Sequence, residues 1–135
     1  MGVCDVEVYD EAHALARSLR ASAEFQRLLK AKGALQREPE KLKRVTEFKA
    51  KEFEVEGQRL LGVDLPPEKL EALQRLADLL LLDPVAREYL EAEARFTRLF
   101  SDVQKIVLDA VKEWEPLLPP GAGERRAKES EPGGR

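Results

Sequence analysis

One cysteine, Cys4, and one histidine, His13, are all that 135 residues supply of the two side chains most often used as nucleophiles and metal ligands. A lone cysteine excludes an intramolecular disulfide and any one-chain iron–sulfur or all-cysteine zinc site. Asp10 and His13 have the spacing of half a di-iron motif, but the second Glu-x-x-His pair has no histidine to use. Cys4 and His13 form the one nucleophile pair formally available, and no neighbouring residue type positions either of them. Gly121-Ala122-Gly123 follows no strand, so it is not a phosphate cradle. Asp83, Glu88 and Glu91 gather acid at the start of a helix, where it offsets the dipole, with no oxyanion stabiliser nearby. The expectation is a protein that is not an enzyme and holds no metal or cofactor.

Long apolar runs are missing too. The most apolar stretch, Leu79 to Leu82, is far too short to cross a bilayer. The opening Met-Gly-Val-Cys-Asp-Val has no basic or apolar signal region, and Val6 breaks a myristoylation motif. A soluble, cytoplasmic protein is expected. Aromatics are only 6% of the chain while charged residues are 36%, a balance suited to long, solvent-washed helices. With a net charge of −3, general attraction to nucleic acid is not expected. The most basic stretch runs from Lys30 to Lys51, and within it Lys41, Lys43 and Arg44 are the candidates for RNA contact. Glu38, Glu40 and Glu47 are interleaved there at salt-pair spacing, and no aromatic platform for bases accompanies them, so a solvated charged face is the stronger reading.

No strand pattern or solenoid repeat is present, and the punctuation predicts an all-α, elongated bundle of about five helices. The first covers Asp10 to Arg20, with Ala12, Leu15, Ala16 and Leu19 on one stripe. The second follows Ser22 as N-cap and turns Phe25, Leu28, Leu29 and Leu35 inward. Glu38-Pro39 opens the third, with Leu42, Val45, Phe48 and Val55 on its apolar face, and Gly62 caps its end. Gly57 inside it costs about 1 kcal/mol against alanine and marks a place for a bend or a close neighbour. Asp64-Leu65-Pro66-Pro67 launches the fourth, with Leu70, Leu73, Leu76, Ala77 and Leu80. Residues 1–8 read as a flexible N-terminus, 9–115 as one helical domain and the Pro/Gly/charged stretch 116–135 as a disordered tail.

The fifth helix, from Asp83 to about Trp114, is the most informative. Asp83-Pro84 supplies the N-cap and first-turn proline, and Pro116 the stop. Val85, Tyr89, Ala92, Phe96, Leu99, Val103, Ile106 and Ala110 step by four and three alternately, a heptad seam built to meet another helix. At 1.5 Å per residue the rod is about 48 Å long, more than a small domain needs to cover its own core. Leu90, Phe100, Val107 and Val111 widen the apolar arc beyond one contact. Those eight seam residues are therefore the candidate protein interface, with a homo-oligomer, a dimer first, as the expected assembly.

Ser22-Ala23-Glu24-Phe25, Ala31-Lys32, Pro39-Glu40, Leu42, Phe48 and the charged run ending at Gly62 resemble the N-terminal half of the YlbF/YmcA family. Asp83-Pro84-Val85, Tyr89-Leu90, Ala92-Glu93, Leu99, Asp102-Val103 and Ile106-Val107 are similar to its terminal helix, and the likeness spans about residues 9–112. The resemblance implies an all-helical oligomer without catalytic activity, an adaptor in bacterial competence, sporulation and biofilm development. It further implies partners among YlbF-like proteins and the endoribonuclease RNase Y, with messenger-RNA processing as the process modulated. Some members bind an iron–sulfur cluster through cysteines near the C-terminus; this chain has none there.

Overall fold

The computed structural model of the chain describes residues 2–114, with side chains from Asp5 onward. Five helices follow in order: α1 (Gly2–Ala21), α2 (Ala23–Gln36), α3 (Pro39–Leu60), α4 (Pro67–Leu81) and α5 (Pro84–Ala110). Among the described residues there is no strand.

Local chemistry sets each boundary. The Ser22 hydroxyl accepts from the Phe25 N–H at 3.2 Å, capping α2. At the end of α3, Gly62 takes φ +76°, the Val63 N–H reaches back to the Gln58 carbonyl and the Gly62 N–H to the Arg59 carbonyl. This is a Schellman closure, which needs a left-handed residue at the position glycine occupies. Pro67 and Pro84 stand at the first turns of α4 and α5, where a missing N–H is harmless.

Three expectations change. The segment 1–8, expected to be flexible, is helical from Gly2, eight residues before the anticipated start at Asp10. No proline interrupts 2–21, and Asp5 in the first turn favours the helix dipole. The last helix ends at Ala110 rather than near Trp114, so it is about 40 Å long. Its final turn tightens, with Val111 N–H on Leu108 O and Trp114 N–H on Val111 O, because exposed Val111 and Trp114 have no packing to extend it. In α2, Leu29 faces solvent while Ala31 is buried in its place. The expected tail over 116–135 lies outside the described residues.

The core sits where four helix ends converge. Leu35 from the end of α2, Val45 and Phe48 from the first half of α3, Leu80 from the end of α4 and Ala86 from the start of α5 form one buried cluster. Leu42, Leu73, Leu76, Ala77, Val85, Tyr89 and Leu90 pack around it. From this junction α3 and α4 run out as an antiparallel hairpin, held at its far end by Lys69 bonding to Glu54 and Gln58. On the other side α2 lies antiparallel to the first half of α5, where buried Ala31 and Ala92 let the two backbones approach. Beyond Ser22, α1 packs chiefly against the start of α2 and leaves its apolar stripe open: Tyr9 is 68% exposed, and Leu15 is exposed too.

Leu35, 1% exposed, is the largest fully buried side chain among the described residues. Leu35→Ala should lower unfolding stability by about 2–5 kcal/mol, read from a denaturant melt followed by helical circular dichroism; an unchanged midpoint would remove the junction as the core. Gly57 has no neighbour within 4 Å of a built Cβ, so the anticipated close approach is absent. Gly57→Ala is expected to stabilise the chain by about 0.5–1 kcal/mol, seen as a later midpoint in the same melt.

Candidate interaction surface

The first half of α5 is pinned from both sides. The Asp83 carboxylate accepts from the Val85 and Ala86 N–H groups at 2.9 and 3.2 Å and also meets Lys41 Nζ at 3.0 Å, so one side chain caps α5 and ties it to α3. Lys41 is shared with Glu38 at 3.2 Å. One turn on, Arg27 of α2 makes a two-pronged contact with Glu88, Nε to Oε1 at 2.6 Å and Nη2 to Oε2 at 2.9 Å, with Glu91 at 3.5 Å. This planar fork fixes the rotation of α5 as well as its distance. Lys49 of α3 then pairs with Glu93, which also accepts from the Tyr89 hydroxyl at 2.6 Å.

These contacts bias the titrating groups. Hydrogen bonding to Lys41 holds Asp83 below its ordinary value, and the Arg27 fork does the same for Glu88. Burial pushes Glu93 up, but the bonds from Lys49 and Tyr89 outweigh it and the net direction is down. Burial, then the bond to Glu93, pushes the Tyr89 phenol up to about 12.

The seam is split by this arrangement. Ala92 is 0% exposed, covered by the chain itself, and Val85 and Tyr89 are half-buried at the junction. Phe96 meets Phe25 of α2 with ring centroids 5.1 Å apart and stacks on Phe100 at 6.1 Å. Leu99 and Val103 are half-buried. Past the start of α2 the cover stops: Ile106 is 70% exposed and Ala110 is also exposed. Around them Val107, Leu108, Val111 and Trp114 are exposed as well, and sequence periodicity had singled out neither Leu108 nor Trp114. The signal that finds them is tertiary: α2 is 14 residues long against 27 for α5. A groove of about 610 Å³ lies before this stretch, between the hairpin at Phe48 and Ala77 and the part of α5 from Leu90 to Asp102.

The other candidates are not assembled into a site. Lys41 is held by Asp83 and Glu38, while exposed Lys43 and Arg44 stand among Glu40 and Glu47 on α3. His13 lies exposed on α1. Among the described residues no group of three or more His, Cys, Asp or Glu side chains is placed to hold a metal ion, and no helix is long and apolar enough to cross a membrane.

Comparison with known proteins gives three kinds of match. The family model described as control of competence regulator ComK, YlbF/YmcA, matches residues 8–112. A UPF0342 protein of Desulfitobacterium hafniense is 37% identical over 112 residues, 83% of this chain and 90% of that protein. A UPF0342 protein of Caldicellulosiruptor bescii is 38% identical over 106 residues, 78% of this chain and 88% of that one. Among solved structures, a protein of unknown function (DUF964) from Bacillus stearothermophilus superposes with a TM-score of 0.67 at 19% identity, covering 79% of this chain and 94% of that chain. That likeness concerns the fold alone.

Because Asp83, Glu88 and Glu93 are all held down in the folded state, they contribute stability above the ordinary carboxylate range that is lost as pH falls through it. Tyr89 has the opposite sign: its raised value contributes stability below the unfolded phenol's pKa of about 10, lost as pH rises toward about 12. In a Tyr9→Phe background, phenolate absorbance should report Tyr89 ionising near that upper value, and Glu93→Gln should bring it down. An ionisation that Glu93→Gln leaves in place would contradict the Tyr89–Glu93 bond.

Proposed function

The chain belongs to the YlbF/YmcA family of competence-regulator control proteins, and from that premise we propose that it is a regulatory adaptor that works through protein–protein contacts and has no catalytic activity of its own. The observation that carries this reading is the division of α5. Its first half is consumed by α2, α3 and α4, while its second half, up to Ala110, presents Ile106, Val107 and Leu108 to solvent on one helix, with exposed Val111 and Trp114 in the turn that follows. A set of exposed large apolar side chains along one helix is the usual mark of a partner surface. Self-association through this half, a dimer first, is the assembly it supports, with Leu99, Val103, Ile106 and Ala110 at the contact.

On the same reading the protein acts in the bacterial cytoplasm, binds other YlbF-like chains, and modulates messenger-RNA processing through RNase Y in competence, sporulation or biofilm development. Those partners come from the family resemblance, not from the geometry of α5. Direct RNA binding through Lys41, Lys43 and Arg44 gains no comparable support, since Lys41 is already paired and the exposed face of α3 mixes both signs.

Ile106→Glu places a charge on a position exposed in the single chain, so it should leave the helical spectrum almost unchanged while shifting the sedimentation coefficient toward the monomer. An assembly size unaffected by Ile106→Glu would remove this half of α5 as the contact. Recovery of the tagged chain from its own cells, with and without ribonuclease, separates the functional readings. A ribonuclease-resistant complex with RNase Y or YlbF-like chains is expected; partners lost on ribonuclease treatment would overturn the adaptor reading in favour of RNA binding.

A further inference from the structure

The α3/α4 hairpin leaves a groove on each side of its buried line. One side, lined by Phe48, Glu52 and Ala77, opens toward α5. The other is bounded near the junction by Lys41, Arg44, Leu76 and Leu79, where it encloses about 330 Å³. Toward the hairpin tip a second hollow of about 210 Å³ lies between Lys51, Glu54, Lys69 and Ala72. Ala72, Leu76 and Leu79 recur at helical spacing along this floor, and Leu79 is 65% exposed. The rim is basic. Lys41 is matched by Asp83 and Glu38, and Lys69 by Glu54, but Arg44 and Lys51 have no ion-pair partner among the described residues.

An apolar floor on α4 beside two unpaired cations on α3 fits an acidic amphipathic helix. The chain carries one. From Asp5 to Ala16, α1 has Asp5, Glu7, Asp10 and Glu11 and no lysine or arginine. Its stripe of Val8, Tyr9, Ala12 and Leu15 is exposed. Glu7 and Glu11, one turn apart, edge that stripe. Lengths are similar as well: residues 5–16 span about 17–18 Å and α4 from Lys69 to Leu81 about 18–20 Å. The helix does not reach the groove of its own chain, because α1 leaves from the far end of α2, about 21 Å from the end that enters the junction.

We propose that α1 of one copy lies in the Arg44/Lys51 groove of a second copy, apolar stripe against Leu76 and Leu79 and carboxylates against the two cations. Each copy then offers one helix and one groove, and reciprocal exchange closes a two-fold dimer. This rests on the self-association proposed above but uses a surface separate from Ile106.

Sedimentation equilibrium of the full chain tests it, with circular dichroism confirming that each variant keeps its helices. Arg44→Glu with Lys51→Glu, and separately Glu7→Lys with Glu11→Lys, should each raise the dissociation constant by about tenfold or more. All four substitutions together should restore it to within about threefold of the parent, because the ion pairs are re-formed with reversed sign. Restoration by the fourfold variant while Ile106→Glu assembles normally would uphold the groove and overturn the α5 contact. Charge variants that assemble like the parent while Ile106→Glu dissociates would overturn the groove alone, as would a fourfold variant that fails to recover. A parent chain that is monomeric at every concentration would overturn both.

Discussion

Everything in this chain depends on one small junction in which the ends of four helices share a core. Leu35, Leu80 and Ala86 from helix ends and Val45 and Phe48 from the first half of α3 are buried there together, and no polar side chain among the described residues is buried with them. Helices that meet at their ends cannot cover one another along their lengths. The hairpin of α3 and α4 runs one way, α2 with α5 the other, and the helices that outlast their neighbours are left with apolar faces in water. The exposure of Tyr9 on α1, Leu79 on α4 and Ile106 on α5 follows from that geometry. A packed interior of this size is marginal for the chain it supports, which is why the remaining faces matter.

Charge does a different job. The Arg27–Glu88 fork, the Lys41–Asp83 pair and the Lys49–Glu93–Tyr89 cluster are all partly exposed, so each contributes little net stability, but together they fix how α5 is rotated. Rotation decides which part of the apolar arc is spent inside the chain. With Ala92 turned onto α2 and Phe96 onto Phe25, the seam beyond Val103 is held outward on a stiff helix. An apolar surface fixed in advance loses less ordering entropy when another surface covers it.

Much of the fold was legible residue by residue. Ser22, Asp83-Pro84, Pro66-Pro67 and Gly62 each act within one turn of themselves, so their capping geometry is local and the sequence pattern places α2, α3, α4 and the start of α5 closely. The ends of the chain were less legible. Helix over 2–8 and loss of helix after Ala110 turn on weak propensities and on whether anything packs there, which no local motif encodes. The candidate surface was half legible. Heptad spacing identified the eight seam residues, but periodicity assigns Ala92 and Ile106 the same face, although one is sealed and the other open.

By itself, then, the sequence determined an all-α chain, the helix boundaries that caps enforce, the amphipathic stripe of each helix and the family to which the chain belongs. Tertiary structure decided which stripe residues are spent. It paired Lys41 with Asp83 and thereby removed a cation that sequence counts as available. It laid the short α2 beside a longer α5, leaving the outer seam bare, and it brought Arg44 beside Leu76 and Leu79, more than thirty positions away in the chain. The physical reason is that stripes are written by a period of 3.6 residues, whereas partners are chosen by where helices begin, end and turn against one another, which involves residues tens of positions apart.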